Sequence, residues 1–122
     1  FIFGLPTDTE ESLKKTMDFA LKLNPDLAKV TIAMPFPGTR LFEQYEKEGR
    51  IKTRDWSKYN LHKIADVYEH PHLSSEILDK YYYLFYRKFY FRLSFLTRRV
   101  IKGLLNGRLF LDIYYGFRTF IS

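Results

Sequence analysis

A chain of 122 residues is long enough for one small domain or for part of a larger one, and its lack of cysteine excludes a disulfide framework and a thiolate metal site. The formal net charge of +6 is uneven: residues 1–79 hold eleven Lys/Arg against thirteen Asp/Glu, and residues 80–122 hold nine against one. Fourteen of the 23 aromatic residues also follow Pro71, so the composition changes near His70-Pro71, and no uncharged apolar run approaches the roughly 18 residues that span a bilayer.

Phe1-Ile2-Phe3 is apolar and β-prone, and Gly4-Leu5-Pro6 ends it, which predicts a short buried strand. A strand at the first residue, with no initiator Met, predicts a piece of a longer protein. Asp8 to Glu11 has the form of a helix start, with Asp8 as the cap and Glu11 three residues on. Leu13, Met17, Ala20 and Leu21 follow at helical spacing, with Phe19 and Leu23 widening the apolar face, and Asn24-Pro25 stops the helix. Residues 27–34 read as the next strand, with Ala28, Val30, Ile32 and Met34 on one face. Leu27 and Ala33 make the other face partly apolar, as in a parallel strand covered on both sides. Strand, helix and strand in this order form a βαβ unit, for which a right-handed parallel pairing is expected.

Thr39 is a suitable cap for a helix with Leu41, Phe42 and Tyr45 inward, and Gly49 is placed to end it in the left-handed conformation. Residues 50–69 read as irregular, packed down by Trp56, Tyr59 and Leu61. Ser74 or Ser75 caps a helix that meets no breaker before Gly103, so the pattern predicts one helix to Lys102 and a last helix over residues 108–119.

Gly4-Leu5-Pro6-Thr7-Asp8-Thr9-Glu10-Glu11 and Pro35-Phe36-Pro37-Gly38-Thr39, followed by Gly49, resemble two strand ends in the C-terminal part of a radical S-adenosylmethionine (SAM) enzyme core. The likeness is greatest to the group that carries a cobalamin-binding domain, and it is strong only as far as Ile51. Thr7 and Asp8 stand where that family usually has glycine and glutamate, and its three cluster-ligating cysteines are missing, so this chain alone cannot hold the cluster. The resemblance implies an α/β fold: the C-terminal βαβα portion of a partial (β/α) barrel over residues 1–52. An irregular connector over 53–73 and an aromatic, basic helical extension over 74–122 follow. It further implies that the parent protein uses SAM and a 4Fe-4S cluster to form a 5′-deoxyadenosyl radical, with cobalamin as a partner cofactor. Ile2, Gly4 and Pro6 on one strand end, and Met34, Pro35 and Phe36 on the next, would stand near SAM and the substrate opening. The other partners implied are the upstream part of the same protein and an unidentified substrate, in the cytoplasm.

The residues alone admit plainer readings. Asp8, Glu10 and Glu11 suit a helix N-terminus better than acid–base catalysis. His70 and His72, with Asp66 and Glu69, do not have a helical metal-ligand spacing. Residues 80–92 place aromatic side chains around most of a helix. Such a helix caps a larger protein, lies at a membrane surface with Arg87, Lys88, Arg92, Arg98 and Arg99 on anionic head groups, or stacks on nucleic acid. The last lacks any recognisable module. A peripheral membrane position through residues 80–122 is therefore an expectation, and a non-enzymatic membrane-surface or interaction module is the alternative function.

Overall fold

The computed structural model describes residues 1–59, 64–105 and 107. Two short strands, β1 (Ile2–Phe3) and β2 (Thr31–Ile32), pair in parallel, with Ile2 opposite Thr31 and Phe3 opposite Ile32. Between them runs α1 (Glu10–Leu23). After β2 come α2 (Arg40–Lys47), a 3-10 turn at Trp56–Lys58, α3 (Ser75–Tyr90) and α4 (Leu93–Leu105). The expected last helix over 108–119 lies outside the described residues, as does Leu61.

The start of α1 differs from the sequence expectation. Thr9, not Asp8, is the cap, and Ser12, not Glu11, completes the capping box: the Ser12 N–H donates to the Thr9 hydroxyl, and the Thr9 N–H to the Ser12 hydroxyl. Asp8 is drawn one residue earlier because its carboxylate accepts the Leu5 N–H at 2.9 Å and the Ser12 hydroxyl at 2.7 Å. Glu11 instead pairs with Lys15 on the exposed face. Leu13, Met17 and Ala20 are buried as their spacing predicts, whereas Phe19 and Leu23 are each 59% exposed. Asn24 ends the helix in the left-handed conformation, φ 52°.

Burial alternates along residues 28–34, with Ala28, Val30, Ile32 and Met34 inward. Among the described residues, helices cover that face only. Leu13 and Met17 of α1 and Leu78, Tyr81, Phe85 and Phe89 of α3 join the strands in one hydrophobic core. The opposite face carries exposed Ile2 and half-buried Thr31 and Ala33, so the expected covering on both sides is not found among the described residues.

The crowd of aromatic residues on α3 resolves into two stripes. Tyr81, Phe85 and Phe89 enter the core, and the Phe85 and Phe89 rings stack at 5.8 Å. Tyr82, Tyr86 and Tyr90 form the second stripe, and two of them bond the outer edge of the second strand segment. The Tyr86 hydroxyl donates to Val30 O at 3.1 Å and accepts Val30 N–H, while the Tyr90 hydroxyl donates to Ala28 O at 2.7 Å and accepts Ala28 N–H. Side chains thus stand where a neighbouring strand would bond.

The helix expected to continue to Lys102 breaks at Phe91-Arg92 without a glycine or proline. Arginines supply the reason. Arg92 donates to Leu21 O at 3.0 Å and Arg98 to Asn24 O at 3.1 Å, so both satisfy carbonyls at the C-terminus of α1. A straight helix would carry Arg98 away from that end. The bend brings α4 across it, and Arg98 and Lys102 also reach Asp26, at 3.6 and 3.0 Å.

Candidate functional site

Parallel pairing puts the two glycine- and proline-bearing strand ends at one end of the sheet. Each end is a turn with its own closure. After β1, the Asp8 N–H returns to Leu5 O at 2.8 Å, with Pro6 at the second position, whose fixed φ suits such a turn. After β2, the Thr39 N–H bonds Phe36 O at 3.1 Å, and Gly38 takes φ +78° at the third position, where a type II turn needs it. Thr39 donates its hydroxyl to Phe36 O and accepts the Phe42 N–H, which caps α2 as expected.

The segment of residues 64–73 crosses these strand ends. Tyr68 donates to Ala33 O at 2.6 Å, and the His70 Nε2–H donates to Leu5 O at 2.9 Å. His70 Nδ1 accepts the backbone N–H groups of His72 and Leu73, each at 3.1 Å, which fixes the Nε2–H tautomer. Burial of His70 holds its pKa below the usual value. With both nitrogens bound to backbone, His70 is a latch and not a metal ligand, and no group of metal-binding side chains is present among the described residues. Part of the stretch read as irregular is in fact paired: Ile51 bridges Tyr68 antiparallel, and Lys52 N–H bonds Val67 O. Beneath it, Tyr45 and Tyr68 pack at 5.3 Å, and burial pushes the Tyr45 hydroxyl, which has no hydrogen-bond partner among the described residues, up to about 12.

The sequence-predicted site residues share this end of the sheet but not one surface. Ile2 is 54% exposed on the open face. Gly4 is buried with φ +77°, and a Cβ there would lie 3.3 Å from both Ile32 and Leu78, so its missing side chain makes room for the protein's own core. Pro6 is half-buried in its turn, while Met34 and Pro35 are buried, Met34 on the helix side. Phe36 is 41% exposed and lies 6.0 Å from the ring of Tyr59, which in turn lies 4.9 Å from Trp56.

Two further groups lie beside these candidates and were not singled out as such from the sequence. Thr31 and Ala33 share the open face with Ile2, a placement that strict alternation from buried Val30 and Ile32 could have given. Tyr59 and Trp56 join Phe36 as an aromatic wall only because the connector folds back, which no local pattern announces. Together these residues offer an apolar platform and ring faces suited to stacking, with no buried acid–base pair among them.

No family model matches the chain, and no solved structure matches it. Curated proteins do. An uncharacterized methyltransferase of Pyrococcus horikoshii is 37% identical over 117 residues, covering 87% of this chain and 25% of that protein. The bacteriochlorophyllide d C-8(2)-methyltransferase of Chlorobaculum tepidum is 32% identical, covering 66% of this chain and 19% of its own length. The anaerobic magnesium-protoporphyrin IX monomethyl ester cyclase of Cereibacter sphaeroides is 32% identical, covering 95% of this chain and 22% of its own length. The chain therefore spans a quarter or less of these relatives, and it is homologous to segments of methyltransferases and of a cyclase.

Proposed function

We propose that this chain is the C-terminal end of a radical SAM enzyme core that carries out methyl transfer or a related radical reaction. Its open sheet face and strand ends would form one wall of the pocket for SAM and substrate. The observation that carries this reading is the parallel pairing that brings Gly4-Leu5-Pro6 and Met34-Pro35-Phe36 to one end of the sheet, where α/β proteins bind ligands. The names of the homologous enzymes support it and do not favour a purely non-enzymatic module.

The residues present fit SAM and not the cluster. Ile2, Thr31 and Ala33 leave an uncovered, mostly apolar surface on which SAM can lie, whereas a chain without cysteine supplies no thiolate for iron. The cluster, and cobalamin where the full protein uses it, are assigned to the rest of that protein. When bound, such cofactors supply the radical chemistry, and this chain's part is to shape and dry the pocket. The wall of Phe36, Trp56 and Tyr59 suits a planar ring on the substrate side.

The test is made on the full-length protein, purified anaerobically with iron and sulfide. The expected result is cluster absorbance, formation of 5′-deoxyadenosine after reduction, and loss of the second but not the first in Thr31→Trp. Gly4→Val is unsuitable, because its side chain would strike Leu78 and perturb the core whether or not SAM binds. Absence of SAM cleavage, or full cleavage by Thr31→Trp, would overturn the reading.

A further inference from the structure

We propose that residues 70–73 form a proton-operated flap over the end of β1, shut while His70 is neutral and released from the Leu5-Pro6 turn when it takes up a proton. The hydrogen bonds demand one protonation state. Nε2–H donates to Leu5 O at 2.9 Å, and Nδ1 must be a bare acceptor, because the N–H groups of His72 and Leu73 both reach it at 3.1 Å. An imidazolium carries a hydrogen on each nitrogen and accepts nothing. The added Nδ1 proton would face two donors, and both backbone bonds would be lost together. His70 is only 5% exposed, so water does not take their place while the flap is shut.

The two flanks of the flap are fastened independently. Upstream, the Glu69 N–H bonds Arg50 O, the Lys52 N–H bonds Val67 O, and Tyr68 donates to Ala33 O. Downstream, the Ser74 hydroxyl caps α3. None of these groups changes charge between roughly pH 5 and 8, so the response is confined to the stretch between them. That stretch is held shut by His70 and by buried Leu73. Ionisable groups from three sides bear on the ring. Asp8, in the turn after β1, favours its charged form, whereas Arg50, in the turn after α2, and His72, within the flap, oppose it. Burial is the largest influence and keeps the ring neutral below its ordinary range. Release of the flap uncovers the strand end whatever ligand is held there, so the inference does not depend on the radical SAM reading.

Native-state hydrogen exchange on the full-length protein, resolved to single amides and normalised to the intrinsic rate at each pH, is the test. Protection at His72 and Leu73 should fall roughly three- to tenfold between about pH 7.5 and 5.5, the response to one proton. Their exchange should ignore sub-denaturing urea, as local opening does, while Thr31 and Ala33 in the ladder follow urea as global unfolding does. His70→Asn offers a carboxamide oxygen to the same two N–H groups and does not titrate, so its protection should be level in pH. His72→Gln should keep the response. The proposal is overturned by level protection in the native protein, or by His72 and Leu73 following urea in step with Thr31. It is equally overturned by a pH response that persists in His70→Asn or disappears in His72→Gln.

Discussion

His70 is held in its neutral form, and that has a consequence for pH. Its pKa is lowered first by burial, against smaller opposing effects from its bond to Leu5 O and from Asp8, and with His72 and Arg50 adding to the lowering. The unfolded chain therefore takes up a proton that the folded chain resists. The latch contributes its full stability above the ordinary value of 6.5 and loses it as the pH falls below that value. Urea unfolding on either side of that pH should show the fall, and His70→Gln should flatten it and be less stable throughout. A second residue-scale prediction separates two glycines. Gly38→Ala meets open space and should cost about 1–2 kcal/mol for its positive φ alone. Gly4→Ala adds contacts at 3.3 Å with Ile32 and Leu78 to a similar φ, and should cost about 1–3 kcal/mol more. Equal urea midpoints for the two variants would count against this packing of Leu78.

Among the elements, α3 does the most to define the fold. Tyr86→Phe and Tyr90→Phe each leave one N–H and one C=O of the strand segment unpaired, and each should lose about 1–3 kcal/mol. Faster amide exchange at Val30 in Tyr86→Phe, and at Ala28 in Tyr90→Phe, would locate the loss. The bend before α4 depends on charge: Arg98→Met should weaken the hold on the end of α1 by about 0.5–2 kcal/mol. Elements of this kind mark what the sequence could and could not convey. Thr39, Gly38 and the Leu13, Met17, Ala20 stripe act within a few residues of themselves, and they stand as read. The break at Phe91-Arg92 is set by carbonyls some 70 residues earlier in the chain, at Leu21 and Asn24, so a search for local breakers passes over it. Thr9 and Asp8 were exchanged because both are good caps, and only the demand of the Leu5 N–H decides between them. The candidate site shows the same limit: motifs marked the two strand ends, but which face of each strand stays open depends on where α3 packs.

At the scale of the whole molecule, the described residues leave one sheet face and one sheet edge open. The ladder turns Phe1 and Phe3 toward β2, which sends the backbone groups of Ile2 the other way. An edge of that kind pairs with other chains. This chain should therefore self-associate with concentration in sedimentation experiments, and Ile2→Lys should reduce the association without lowering the melting temperature.

The tyrosine stripe gives the sheet a polarity of growth. A further strand beside β2 would have to displace Tyr86 and Tyr90, whereas one beside β1 displaces nothing that the described residues place there. Among the described residues, the sheet is thus blocked on the β2 side by two tyrosine hydroxyls and open to a further strand on the β1 side.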